Sequence, residues 1–122
     1  MEDRKLYEGE RRLMELLWDN EGATAKALSL LASERIGWNK NTTYTVIGKL
    51  VEKGVIRRTE PGFICHSTVG REAAGLGEAR QVLNTFFGGS VGALFSSFMA
   101  DGALSGEEAE ELRRLIDKRS GE

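Results

Sequence analysis

Residues 38–67, WNKNTTYTVIGKLVEKGVIRRTEPGFICHS, order themselves as a helix, a glycine stop, a short strand, a Pro-Gly turn and a second strand. Asn39 is placed to cap the helix, its side-chain oxygen taking a free backbone N–H of the first turn. Thr43, Val46, Ile47 and Leu50 follow the three-and-four spacing of a buried stripe. Asn41, Thr42, Tyr44, Thr45, Gly48, Lys49 and Glu52 fall on the opposite face. Gly54 stands where a left-handed residue ends a helix, with Lys53 near the negative end of the helix dipole. Val55 and Ile56 begin a strand, Pro61-Gly62 turns the chain, and Phe63 and Cys65 alternate with Ile64 and His66 on the return.

The segment before it supplies two more helices. Leu6 to Asn20 reads as a first helix with Leu13, Met14, Leu17 and Trp18 for a core. Gly22 interrupts it, and Thr24 caps a second helix that buries Ala25, Leu28, Leu31 and Ala32. Ile36-Gly37-Trp38 turns into the third, and the rings of Trp18 and Trp38 read as core and hinge packing. Three helices followed by a hairpin make a winged helix-turn-helix.

Such a fold offers one helix to a DNA groove and one hairpin beside it. The exposed face of the third helix is short and polar. Asn, Thr and Tyr side chains there suit base edges or phosphates, Lys49 reaches either, and Gly48 permits close approach. Asn39, Lys40, Asn41, Thr42, Tyr44, Thr45 and Lys49 are the expected groove contacts, with Arg57 and Arg58 on phosphates.

Charge supports this division of labour. The 122 residues carry a net charge of −2, which argues against indiscriminate polyanion binding. From Arg35 to Arg58, however, six cations face Glu52 alone, giving +5. Residues 71–122 hold six cations against nine acids, giving −3. The organisation expected is a winged-helix DNA-binding domain over residues 1–70 and a helical dimerisation domain over 71–122.

The second part is built from apolar helices short of partners. A fourth helix is expected from Arg71 to Phe87, ended by Gly88-Gly89, and a fifth from Ser90 to about Ala100. Ser105-x-x-Glu108 is a capping box that opens a sixth. Three short helices bury too little surface to be stable alone. Leu83, Phe86, Phe87, Val91, Leu94, Phe95, Phe98, Leu112, Leu115 and Ile116 are therefore expected in a homodimer interface. A dimer also sets two recognition helices one DNA turn apart, as a palindrome requires. Packing of these helices back onto the N-terminal part is the alternative.

Catalysis, metal and membrane chemistry find little support. One Cys and one His leave no nucleophile–base pair, and Gly88-Gly89-Ser90 lacks the Lys of a phosphate loop. Neighbouring strand residues Cys65 and His66 point to opposite faces, so no metal site is expected; Cys65 reads as a small apolar residue on the wing's inner face. Neither an enzyme nor a cofactor is expected. A single cysteine makes no internal disulfide, the start MEDRKLYEGE is too charged for a signal peptide, and no apolar run nears the ~20 residues of a membrane span. The expected location is the cytoplasm.

Several motifs carry a family resemblance. Leu13-Met14-x-x-Leu17-Trp18, Ala23-Thr24-Ala25-Lys26, Gly37-Trp38, Thr42-x-x-Thr45 and Leu50-Val51-Glu52-Lys53-Gly54 occur in order. Phe86-Phe87-Gly88-Gly89-Ser90-Val91-Gly92-Ala93-Leu94 and Leu104-Ser105-Gly106-Glu107-Glu108 follow them. Together the chain resembles the penicillinase repressor (BlaI/MecI/CopY) family over roughly residues 6–118. The resemblance implies a dimeric repressor on palindromic operators, controlling β-lactamase or penicillin-binding-protein genes in the best-known branches. It also implies induction by a membrane sensor metalloprotease that cuts before a phenylalanine, here Ser97-Phe98. Asn commonly precedes that Phe in the family, whereas Ser97 stands here. Lys40-Asn41 replaces the longer basic or proline-bearing start of many recognition helices. The copper-responsive branch ends in clustered cysteines, while residues 115–122 read LIDKRSGE, without the thiolates copper(I) needs. A different class of function, a winged-helix protein-interaction module without specific DNA binding, would use the Asn41, Tyr44 and Lys49 face for an acidic partner.

Overall fold

A computed structural model describes residues 5–121. Its elements run α1 (Glu8–Asp19), α2 (Ala25–Ile36), α3 (Lys40–Glu52), β1 (Ile56–Thr59), β2 (Ile64–Ser67), α4 (Arg71–Phe87), α5 (Val91–Asp101) and α6 (Gly106–Ser120). The fold is mainly α with one small antiparallel hairpin, a winged helix-turn-helix followed by three helices. The chain forms two compact units, one reaching residue 78 and one beginning at 79. The first two turns of α4 thus belong with the winged helix. Arg71 pairs there with Asp19 at 2.8 Å, and Glu78 accepts the Leu6 N–H at 3.3 Å.

Each helix of the first unit is bounded by local chemistry. α1 begins at Glu8, two residues later than the sequence suggests, because Glu10 reaches back to accept the Tyr7 N–H at 2.9 Å. Thr24 caps α2 by accepting the Ala27 N–H, and Gly37 ends it in the left-handed region at φ 69. Asn39 caps α3 through the Thr42 N–H at 2.8 Å, and Gly54 at φ 79 turns the chain into the wing.

One core joins these parts. Leu13, Met14 and Leu17 of α1 meet Leu28 and Ala32 of α2, Ile47 and Leu50 of α3, and Val55, Ile56 and Cys65 of the wing, all fully or almost fully buried. Val46 and Leu31 are only half-buried, packed at its margin. Trp18 and Trp38 also pack at the margin, Trp18 donating its indole N–H to the Val69 carbonyl at 2.9 Å. The strands pair Ile56 with Ser67, Arg57 with His66, Arg58 with Cys65 and Thr59 with Ile64. The far edge of β2 is bridged to Thr24, with the Cys65 N–H on the Ala23 carbonyl at 2.9 Å. The hairpin is therefore fixed at its base to the start of α2.

The wing turn departs from the sequence reading. β1 starts at Ile56 rather than Val55, and Phe63 lies in the turn rather than in β2. After a cis Glu60–Pro61 peptide and Gly62 at φ 96, Phe63 adopts φ 52. Its N–H is held by the Glu60 carboxylate and its carbonyl by the Ala25 N–H. Those two bonds hold it left-handed and out of the strand.

In the second unit, Ser90 caps α5 through the Ala93 N–H. Ser105 and Glu108 form the reciprocal capping box of α6 at 3.1 and 3.0 Å. Among the described residues none in α4, α5 or α6 is buried. No single helix among them is long and apolar enough to cross a membrane.

Candidate nucleic-acid interface

The exposed surface of α3 is a continuous stripe. Thr43, Ile47 and Leu50 are fully buried, so the three-to-four periodicity turns Asn41, Thr42, Thr45, Gly48 and Lys49 outward, and all five are exposed. Thr43 donates its hydroxyl to the Asn39 carbonyl at 3.2 Å and plays no part in that surface. A Cβ built on Gly48 would meet nothing within 4 Å. The middle of the helix is thus low and open, framed by threonine hydroxyls and one lysine.

The remaining expected contacts sit differently. Asn39 is exposed, but its side-chain oxygen is engaged by Thr42; only its amide N–H groups remain for a ligand. Lys40 is exposed and lies 5.9 Å from the Tyr44 ring centroid. Tyr44 is half-buried, packed at the core margin and edge-on to Phe63 at 6.1 Å.

The two wing arginines occupy opposite faces of the hairpin, as adjacent strand residues must. Arg57 pairs across with His66 on the outer face, is exposed, and has no ion-pair partner among the described residues. Arg58 shares the inner face with Cys65. Its guanidinium lies 3.6 Å from the Phe63 ring centroid and is paired with Glu60. The bond from Arg58, and then the Phe63 N–H, hold the Glu60 carboxyl below the usual carboxylate range. Glu60 is therefore ionised at neutral pH and offsets Arg58, though both are about half exposed and such a pair contributes little.

Beneath this surface lie two residues to which the sequence reading gave other roles, Lys53 at the helix dipole and Phe63 in the return strand. Lys53 Nζ meets the Glu10 carboxylate at 2.8 Å and the Lys5 carbonyl at 3.0 Å, and lies 4.6 Å from the Tyr7 ring centroid. This shielded pair fastens the end of α3 to the start of α1. Residues 43 apart in sequence leave no local signal of it. Phe63 is the other, and its left-handed backbone conceals its role from an alternating strand pattern.

Cys65 and His66 face opposite sides. Cys65 is fully buried, and that burial pushes its thiol up to about 11. His66 bonds the Thr59 hydroxyl at 2.9 Å across the strands.

An exposed polar helix with a paired hairpin at its flank defines a winged-helix nucleic-acid-binding protein. Comparison with known proteins gives the family. The family model described as Penicillinase repressor matches residues 6–118, and the chain belongs to that family. The chain is 22% identical to the Penicillinase repressor of Bacillus licheniformis, covering 93% of this chain and 91% of that one. It is 27% identical to the methicillin resistance regulatory protein MecI of Staphylococcus aureus strain N315, over 96% and 99%. The Penicillinase repressor of Staphylococcus aureus is 23% identical over 86% and 85%. The protein is accordingly a DNA-binding transcriptional repressor of the BlaI/MecI type and not an enzyme.

Proposed function

We propose that the protein represses transcription as a homodimer on a palindromic operator, reading bases with α3 and holding phosphates with the wing. The single observation that carries this reading is the open stripe Asn41, Thr42, Thr45, Gly48 and Lys49, exposed opposite a fully buried face. Lys49 and the threonine hydroxyls supply donors and acceptors suited to base edges. Lys40 and Asn39 stand at the positive end of α3, where a backbone phosphate is favoured. Arg57 is the wing's unencumbered phosphate contact, and Arg58 joins it once Glu60 yields.

The homodimer is supported by the second unit. Phe86 is 75% exposed, Met99 67% and Ile116 63%, too much large apolar surface for a single copy to leave in water. Leu83, Phe87, Val91, Leu94, Phe95, Phe98, Leu112 and Leu115 complete the surface we assign to the partner copy, all of it within the unit that begins at residue 79, which then serves as the dimerisation domain. The names of the relatives, penicillinase repressor and methicillin resistance regulatory protein, point to β-lactam resistance genes as targets, and the proposed work on operator DNA sets the place of action in the cytoplasm. Relief by a membrane sensor protease would act at Ser97-Phe98. Both residues are exposed but lie inside α5, where Ser97 donates to the Ala93 carbonyl at 3.0 Å, so cutting requires the helix to open.

The test is a binding titration of the full chain against duplex from upstream of its own gene, with random duplex as control. Selective binding lost on Lys49→Ala supports the reading; equal binding to both duplexes rejects it.

A further inference from the structure

The wing tip and the start of α3 are joined by stacked side chains. Lys40 Nζ lies 5.9 Å from the Tyr44 ring centroid, Tyr44 meets Phe63 edge-on at 6.1 Å and 78°, and the Arg58 guanidinium covers Phe63 at 3.6 Å. Edge-to-face rings and a cation over a ring face are both attractive arrangements. Phe63 is fixed beneath them at φ 52 by bonds to Glu60 and Ala25, a backbone state that a bulky residue rarely holds. Its direction is thus determined by the turn, not by the ligand.

We infer that Phe63 is a positioning residue for DNA binding, coupling the wing to the recognition helix through the Tyr44 ring and carrying Arg58 at the height the phosphates require. The inference rests on the DNA-binding reading of α3 and gives Tyr44 a definite role. Its ring works as a link in the free protein, while its hydroxyl is dispensable. Without the link, Arg58 falls back on Glu60 alone, an exposed pairing too weak to hold a side chain in one place.

The experiment is an anisotropy titration of the full-length chain on its upstream duplex at two salt concentrations, with thermal unfolding to confirm that each variant folds. Tyr44→Phe and Phe63→Tyr should bind like the parent. Tyr44→Leu and Phe63→Leu should each weaken binding about tenfold and lower the salt slope by ~1, the loss of one phosphate contact. The double leucine variant should be no weaker than either single one, because both break the same link. Tyr44→Phe as weak as Tyr44→Leu, or additive losses, would overturn the inference. So would a silent Phe63→Leu beside a Lys49→Ala variant that loses discrimination, an outcome that leaves the DNA-binding reading intact. A DNA-free arm stands apart from that reading. The Arg58 side-chain proton signals should move on Tyr44→Leu as well as on Phe63→Leu; signals unmoved by Tyr44→Leu contradict the coupling.

Discussion

Glu10 and Lys53 set the strongest single-residue expectation. Glu10 is 6% exposed and accepts from both Lys53 and the Tyr7 N–H, so truncating it leaves the shielded ammonium with only the Lys5 carbonyl and removes the acceptor of the Tyr7 N–H at the start of α1. Glu10→Ala should cost about 3 kcal/mol, the low end for a broken buried pair, since the Lys53 side chain keeps 19% exposure. Urea unfolding of parent and variant measures it, and a loss near zero would mean that the pair does not fasten α3 to α1. Cys65 sets a pH dependence. Its burial raises the thiol from an ordinary value near 9.0 to about 11, so between those values the folded chain keeps a proton that the unfolded chain has released. Stability from this group is complete below pH 9 and declines as pH rises towards 11. Between pH 8 and 10.5 the parent should lose about 2 kcal/mol more than a Cys65→Ala variant. Parallel pH profiles for the two would contradict the assignment.

At the scale of elements, the helix and wing must be joined rigidly, and Gly54 makes the joint. Its φ of 79 is open to glycine and strained for any residue with a Cβ. Gly54→Ala should lower stability by about 1–2 kcal/mol, read as a fall in Tm, without changing which duplex is preferred. The same elements show what a sequence discloses. The Asn39 cap, the Thr24 cap, the Gly37 and Gly54 stops and the Ser105–Glu108 box are interactions between residues within a turn of one another, and all were legible. The starts of β1 and β2 were nearly so, each one residue later than expected. Hidden from sequence were features set by distant chain segments. The Ala25 N–H helps hold Phe63 out of the strand, Glu10 takes Lys53 from across the fold, and Tyr44 packs edge-on against Phe63. Periodicity places a residue on a face; it does not say which neighbour has already engaged the side chain.

At the scale of the whole molecule, two surfaces of different character matter, one polar and organised, one apolar and uncovered. No residue described in α4, α5 and α6 is buried, which supports the proposed homodimer, in which a second copy completes a core. Phe98→Asp should convert the dimer to monomer in light scattering at micromolar concentration, because an unpaired charge in a closed apolar contact is strongly disfavoured. A parent chain already monomeric there would contradict the dimer. The monomeric variant should also bind its operator more weakly, since two half-sites are no longer held by one particle.

The most direct test of the central claim separates base reading from phosphate holding on one duplex. The full chain is titrated against labelled DNA from upstream of its own gene, and against single-base-pair variants, at two salt concentrations. Lys49→Ala and Thr45→Ala should each lose about 1–3 kcal/mol on the preferred duplex and relax discrimination at one base pair. Arg57→Ala should weaken every duplex alike and reduce the salt slope by ~1. Parent binding no tighter to the upstream duplex than to random DNA, with all three variants indistinguishable from the parent, would contradict recognition through α3 and the wing.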